Sequence, residues 1–257
     1  MSDVKDYFET IEGCKTHILR KGSGQPLLFL HGANGGRWLP FLDSLAETHD
    51  VIAPEHPGFG TSGTPDWLDN TGDLAHFYLE FMDKLGLEKV ILVGTSLGGW
   101  IACEMGVRST ARLDRMVLSA PAGIHVKGVQ KGDLFLWNPE QMVRNLVFSK
   151  ELADKLLAMP VSDQDRDMAL RNRFTTAKLT WSPRLYNPDL AKWLHRIRIP
   201  AMIMWGKQDR LIPAPYGKRF NELIPGSLLK EFDECGHLLH TEKPHEFVAA
   251  ITQFAKG

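Results

Sequence analysis

Apolar residues along this chain alternate between short continuous runs and longer stretches with helical spacing. The short runs are typical of strands buried on both faces of a sheet, and they lie at 26–30, 89–93, 115–119 and 201–205. The stretches that predict helices lie between them and after them, at 71–85, 97–108, 215–224 and 244–255. Strands that alternate with helices predict an α/β fold, with a mostly parallel sheet covered by helices on both faces.

The remaining elements are weaker but consistent with that sheet. Residues 7–11 and 15–21 flank the turn Glu12-Gly13 and read as a hairpin, so the sheet is expected to be mixed. A helix is predicted near 37–47 and short strands at 51–53 and 228–232. The stretch from 54 to 63 is too rich in glycine and proline to be anything but a loop.

The alternation disappears between 121 and 199. That stretch carries helical patterns at 139–147 and 150–157 but no convincing buried strand. An insertion of this length between two strands of one sheet predicts a mostly helical cap. The predicted organisation is therefore a core of residues 1–120 and 200–257, with a cap of 121–199 inserted between its strands.

Composition narrows the classes of protein that fit. Hydrophobic residues make up 43% and charged residues 24%, and the formal net charge is −1, so no basic field attracts nucleic acid or anionic lipid. The N-terminus lacks the apolar stretch of a signal peptide, and the apolar runs are too short to span a bilayer. Three widely spaced cysteines argue against disulfides. We expect a cytoplasmic protein without nucleic-acid or membrane partners.

The strongest motif lies at residues 94–98, which read Gly-Thr-Ser-Leu-Gly between a predicted strand and a predicted helix. This is the pattern of a nucleophile elbow, a tight turn that presents Ser96 above the sheet. Side chains two positions to either side would collide with neighbouring backbone, so Gly94 and Gly98 are needed for room. The sequence predicts Ser96 as a nucleophile.

A serine nucleophile needs a base and a group that orients the base. Asp209 follows the strand at 201–205 and is the candidate acid, with an Asx-turn as its ordinary structural alternative. His237 lies in the loop after the last strand and is the candidate base, with His240 as its rival. The order serine, acid, histidine is the order that this type of triad follows along the chain.

The segment 31–36, His-Gly-Ala-Asn-Gly-Gly, follows the strand at 26–30. Its glycines allow the backbone to approach a substrate, so the backbone amides of Ala33 and Leu97 are the predicted oxyanion hole. His31 is interpreted as a residue that bridges loop backbones beneath the site, and His56 as one that bonds to its own loop. No metal-ligand spacing, phosphate loop or dinucleotide fingerprint is present, so no metal or cofactor is expected.

Together these residues resemble the α/β-hydrolase superfamily. The resemblance rests on five motifs in the expected order: the His-Gly turn at 31–32, P-G-F-G-T-S at 57–62, the elbow, the segment ending in Asp209, and G-H-x-x-x-x-E-x-P at 236–244. It implies an α/β-hydrolase fold with a helical cap and catalysis without a cofactor. It also implies a small acyl compound as the partner in the site, and a homodimer as the common assembly.

A serine in the elbow forms an acyl-enzyme, so the substrate should contain an acyl group, with a carboxylic ester as the main expectation. The alternative is a carbon–carbon bond hydrolase of the meta-cleavage-product type. Many of those enzymes have Asn before the serine and Trp after the histidine, where this chain has Thr95 and Leu238. A small-molecule receptor that retains the triad is the alternative from a different class.

Aromatic and apolar residues near the motifs predict an apolar substrate pocket between sheet and cap. The residues assigned to it are His31, Trp38, Trp137, Trp181 and Leu238. Arg173, Lys178 and Arg184 are candidates for holding a substrate carboxylate, with ordinary surface positions as their alternative.

Overall fold

A single eight-stranded sheet organises the computed structural model, which describes residues 3–257. Its strands are β1 (Lys5–Ile11), β2 (Cys14–Gly22), β3 (Gln25–Leu30), β4 (His49–Pro54), β5 (Val90–Thr95), β6 (Leu113–Ser119), β7 (Ala201–Gly206) and β8 (Leu228–Phe232). They lie in the order β1-β2-β4-β3-β5-β6-β7-β8. β2 pairs antiparallel with β1 and β4, and all other pairs are parallel, so the predicted mixed sheet is confirmed.

Ten α-helices lie in the described part of the chain. They are α1 (Pro40–Ala46), α2 (Thr71–Lys84), α3 (Leu97–Arg108), α4 (Pro139–Leu146), α5 (Lys150–Leu157), α6 (Asp163–Thr180), α7 (Leu190–Trp193), α8 (Pro215–Leu223), α9 (Leu239–Glu242) and α10 (Pro244–Ala255). The first helix begins three residues later than predicted, because Leu39 is extended and Pro40 occupies the first helical position. None of the helices in 3–257 is both long and apolar enough to cross a membrane.

The core lies on both faces of the central strands. Every residue of β5 and β7 is buried, as their continuous apolar sequences require. α1 packs with α10, and α2 packs with α3. Because β3, β5, β6, β7 and β8 run parallel, their carboxyl ends meet at one edge of the sheet, where ligand-facing groups of this type of fold are found.

The segment between β6 and β7, residues 120–200, holds α4 to α7 and a short 3₁₀ helix (Leu194–Arg196). Within it the described residues form no strand, only an isolated bridge between Gly123 and Tyr186. Its longest helix, α6, was missed by the periodicity analysis because its buried side is largely polar. The buried residues of α6 are Asn172, Thr175, Thr176, Leu179 and Thr180.

The polar side of α6 is bonded to two loops at the carboxyl edge of the sheet. Asn172 Oδ1 accepts from the Gly60 amide at 2.9 Å, and its Nδ2 donates to the Asn34 carbonyl at 2.9 Å. Thr175 Oγ1 donates to the Gly58 carbonyl at 2.7 Å. Hydrogen bonds satisfy these buried groups, so a polar helix face can replace an apolar one here.

Asn172→Ala should lower the free energy of unfolding by about 1–3 kcal/mol, because it leaves the buried Gly60 amide without its hydrogen-bond partner. Urea denaturation followed by circular dichroism measures this. Leu170→Ala is the matched control on the same helix, since Leu170 is 68% exposed, and it should change stability by less than about 0.5 kcal/mol. Equal effects of the two substitutions would contradict the account of how α6 docks.

Candidate active site

Ser96 occupies the turn between β5 and α3 in a strained backbone conformation. Its φ is +52° and its ψ is −112°, outside the regions that most non-glycine residues adopt. The backbone is held by three hydrogen bonds: the Ser96 amide donates to Ser119 O at 2.9 Å, and its carbonyl accepts from Trp100 N at 3.0 Å and Ala122 N at 3.1 Å. The predicted elbow geometry is therefore present, with the serine partly exposed at the carboxyl edge.

Gly94 and Gly98 are required by space, as predicted. A Cβ on Gly98 would lie 2.1 Å from the Leu30 carbonyl oxygen. A Cβ on Gly94 would lie 2.5 Å from the carbonyl oxygen of Gly98. Backbone atoms cannot yield at such distances, so this turn allows only glycine at both positions.

Asp209 and His237 are brought together across two loops. Asp209 follows β7 and His237 follows β8, and His237 Nδ1 lies 2.7 Å from Asp209 Oδ2 with both side chains buried. The other carboxylate oxygen, Oδ1, accepts from the amides of Leu211 and Ile212 at 2.8 Å each. Asp209 makes the Asx-type contacts of its structural alternative and still orients the histidine, so the two interpretations are compatible.

This pairing determines which nitrogen of His237 is free. An ionised carboxylate only accepts, so Nδ1 carries the proton and Nε2 is left with a lone pair. Nε2 is buried and makes no hydrogen bond to any residue of 3–257, the Ser96 hydroxyl included. In free enzymes the bond between nucleophile and base is often long and shortens only with substrate. The arrangement provides a base nitrogen at the same sheet edge as Ser96.

The two predicted oxyanion donors flank Ser96. Leu97 is the first residue of α3, and the first amides of a helix have no intrahelical acceptor. The loop that carries Ala33 touches the nucleophile, since a Cβ on Gly32 would lie 3.4 Å from Ser96 Cβ. The oxyanion hole at Ala33 and Leu97 stays a prediction that this placement permits.

A buried network of two histidines and a tyrosine fixes that loop. His31 Nδ1 donates to Gly32 O at 2.7 Å, and its Nε2 accepts from the His56 amide at 3.0 Å. His56 Nε2 donates to His31 O at 2.9 Å, and its Nδ1 accepts from the Tyr78 hydroxyl at 2.5 Å. The rings of His31 and His56 stack with centroids 3.7 Å apart.

Both histidines of the network are neutral. Burial lowers the pKa of His31 to about 4, and burial followed by the neighbouring His31 lowers the pKa of His56 well below its ordinary value. Both nitrogens of His31 are bonded to backbone groups, which agrees with its interpretation as a residue that bridges loop backbones, and its assignment to the pocket wall stays a prediction. The His56 side chain bonds to His31 and Tyr78, whereas the sequence predicts a bond to its own loop. The sequence offered no signal for Tyr78 beyond its place on an apolar helix face.

His240, the rival base, makes no hydrogen bond to Asp209. Its ring packs against Phe41 and Phe247 with centroid distances of 5.2 and 5.9 Å, and its buried Nδ1 has no hydrogen-bond partner within residues 3–257. Burial, and next the nearby His237, lowers its pKa to about 4. Of the two histidines, only His237 is oriented by an acid.

The other predicted pocket residues are Trp38, Trp137, Trp181 and Leu238. The Trp137 ring covers Gly132 beside the Arg210 carbonyl, and Leu238 follows the candidate base, so both lie against the catalytic loops. Trp38 donates from Nε1 to Asp43 Oδ1 at 3.1 Å. Trp181 is 54% exposed, with the Arg184 guanidinium 4.0 Å from its ring centroid, and its assignment to the substrate pocket stays a prediction.

Comparison with known proteins agrees with this geometry. Residues 25–244 match the family model described as alpha/beta hydrolase fold. The chain belongs to this family. It is thus a hydrolase of the α/β type, and the resemblance inferred from its motifs is confirmed.

Individual relatives are distant. The chain is 27% identical over 94% of its length to 2-hydroxy-6-oxo-2,4-heptadienoate hydrolase of Pseudomonas putida, 93% of which is covered. It is 29% identical over 97% of its length to the dihydrolipoyllysine-residue acetyltransferase component of the acetoin cleaving system of Cupriavidus necator, 69% of which is covered. Its fold matches that of 2-hydroxy-6-oxo-6-phenylhexa-2,4-dienoate hydrolase of Rhodococcus sp. strain RHA1 with a TM-score of 0.81, 20% identity and full coverage of both chains.

The neutral state of His240 makes a prediction about pH. Its pKa is lower in the folded than in the unfolded chain, where imidazole titrates near about 6.5, so its contribution to stability is present above that pH and is lost as pH falls toward 4. Between pH 7 and pH 5, His240→Phe should therefore lose about 1–2 kcal/mol less unfolding free energy than the wild type. Urea denaturation at both pH values measures this loss. His245→Phe, at an exposed position, is the control for replacing an imidazole with a phenyl ring. If the wild type and His240→Phe lose the same unfolding free energy between these pH values, His240 does not have the lowered pKa.

Proposed function

We propose that this chain is a serine hydrolase that transfers an acyl group to Ser96 and then to water. The observation that carries the proposal is the buried pair of Asp209 and His237 at 2.7 Å, with Nε2 of the histidine left free at the edge where Ser96 stands. A neutral serine is a weak nucleophile, and a base held in one tautomer by a carboxylate activates it.

Each residue of the site has its own role in the proposed reaction. Ser96 Oγ attacks the carbonyl carbon while its proton passes to His237 Nε2, and Asp209 stabilises the imidazolium that forms. The oxyanion faces the amides of Leu97 and Ala33. Collapse expels the leaving group, which takes the proton from His237, and water activated by the same nitrogen releases the acid.

For the substrate, we propose a 2-hydroxy-6-oxo dienoate, cleaved at the carbon–carbon bond beside its ketone. The Pseudomonas putida relative, matched along nearly its whole length, is named for this type of substrate, and this favours carbon–carbon cleavage over the ester expected from the sequence. The reaction adds one water and yields a carboxylic acid and a 2-hydroxydienoate. Before Ser96 attacks the ketone, the substrate must ketonise, so that its 2-hydroxyl group loses a proton and carbon 5 gains one.

A dienoate carries a carboxylate, and Arg173 is the residue we propose to bind it. The other two candidates are occupied, since Arg184 pairs with Asp133 and Lys178 lies 3.5 Å from Asp69. Arg173 has no carboxylate partner within residues 3–257. Its Nη2 donates to the Phe135 carbonyl at 2.7 Å, and a guanidinium has further N–H groups with which to hold an anion.

Carboxylic ester hydrolysis is the second candidate. It is favoured by Thr95 before the nucleophile and Leu238 after the base, where many carbon–carbon hydrolases have Asn and Trp. An ester needs only its acyl carbon over Ser96 and its oxygen at the oxyanion donors, without delivery of a proton to carbon.

A side-by-side assay of 2-hydroxy-6-oxo-2,4-heptadienoate and p-nitrophenyl acetate distinguishes these functions, because both release acetate. We expect kcat/KM to be at least about tenfold higher for the dienoate, a difference of about 1.4 kcal/mol in transition-state stabilisation. Ser96→Ala should lower kcat for both by roughly four to six orders of magnitude. A higher kcat/KM for the ester would support carboxylic ester hydrolysis instead. Release of a single acetate per protein without turnover would indicate a receptor.

The carboxylate site is tested in the same assay. Arg173→Gln should raise KM for the dienoate about tenfold or more and leave KM for the neutral ester within about twofold, because only the dienoate presents an anion. Lys178→Gln on the same helix is the matched control and should alter neither. Equal effects of Arg173→Gln on both substrates would show that the arginine does not recognise the carboxylate.

A further inference from the structure

Glu242, at the end of α9, binds three backbone amides that belong to two distant segments. Its Oε1 accepts from the Gly236 amide at 2.7 Å, next to the candidate base. Its Oε2 accepts from the amides of Phe148 at 2.7 Å and Ser149 at 3.3 Å, between α4 and α5. One carboxylate therefore joins the loop that carries His237 to the segment between β6 and β7.

A second set of bonds connects the same two segments. The Leu146 carbonyl accepts from the His237 amide at 2.8 Å and from the Leu238 amide at 3.3 Å. Leu146 is the last residue of α4, where helical carbonyls have no intrahelical donor. The backbone of the candidate base thus completes the end of a helix that is remote in sequence.

The backbone around Gly236 is closely packed between these two segments. A Cβ on Gly236 would lie 2.8 Å from the Leu146 oxygen, 3.0 Å from Glu242 Oε1 and 3.0 Å from the Phe148 nitrogen. The three partners surround the residue before His237, so a shift of the α4–α5 turn (residues 146–149) would displace the base with it.

We propose that Glu242 is a positioning residue that couples His237 to the α4–α5 turn, so that the base is correctly placed only while this turn is docked. The inference deepens the proposed function and rests on it in one respect, the role of His237 as base. The physical reason is that displacement of a catalytic group by about 1 Å costs on the order of a hundredfold in rate. Charge-assisted bonds from a carboxylate to backbone amides are strong enough to hold two segments together.

Hydrogen exchange tests the coupling without reference to any substrate. In Glu242→Ala, the amides of Gly236, Phe148 and Ser149 should all exchange about tenfold faster or more, while amides of β5 and β6 are unchanged. Glu242→Gln retains one carbonyl oxygen and should give an intermediate effect, and it serves if the alanine variant does not fold. Glu246→Gln, an exposed carboxylate in α10, is the matched control. Faster exchange in only one segment, or in neither, would overturn the coupling.

Kinetics then test the consequence for His237, using the better of the dienoate and the p-nitrophenyl ester. Glu242→Ala should lower kcat about tenfold to a hundredfold with KM within about twofold, and Glu242→Gln should restore part of the loss. Faster exchange at both segments with an unchanged kcat would overturn the positioning role. If the wild type hydrolyses neither substrate, the proposed function fails, and the exchange measurement still decides whether Glu242 couples the two segments.

Discussion

The left-handed backbone of Ser96 is the constraint on which the carboxyl edge of the sheet depends. A non-glycine residue in this conformation costs on the order of 1–3 kcal/mol, so the surroundings must hold it there. They do so by bringing β5, α3 and the end of β3 so close that Gly94 and Gly98 have no space for a side chain. The same approach places the His31–Gly32 turn against the serine, where a backbone amide can meet an oxyanion.

The segment between β6 and β7 does more than cover this edge. Gly132 N donates to Leu211 O at 2.8 Å, and Arg210 Nη1 donates to Arg144 O at 2.8 Å, so the loop of the candidate acid is bonded to it. The loop of the candidate base is bonded to it through Leu146 and Glu242, and the loop that carries Ala33 and Asn34 is bonded to it through Asn172. All three loops around Ser96 are thus fixed partly by helices that the sequence predicted only as a cap.

Those features that depend on local sequence could be predicted, and those that depend on distant contacts could not. Ser96, Asp209 and His237 stand in short motifs that follow strands of the sheet, and because β5, β7 and β8 run parallel, these motifs meet at one edge. α6 was missed because it buries Asn172 and threonines, which periodicity of apolar residues does not detect. The sequence marked Tyr78 as a core aromatic and Glu242 as a motif residue, but it gave no sign that Tyr78 bonds to His56 or that Glu242 bonds to Phe148.

Reaction with a fluorophosphonate, followed by peptide mass mapping, tests most directly whether Ser96 is activated by His237 and Asp209. We expect one phosphonyl group per chain, located on Ser96. Labelling should be slower by about 10³-fold or more in Asp209→Asn, which leaves the serine in place but orients the wrong tautomer of the histidine. Labelling of another residue, or an unchanged rate in Asp209→Asn, would contradict it.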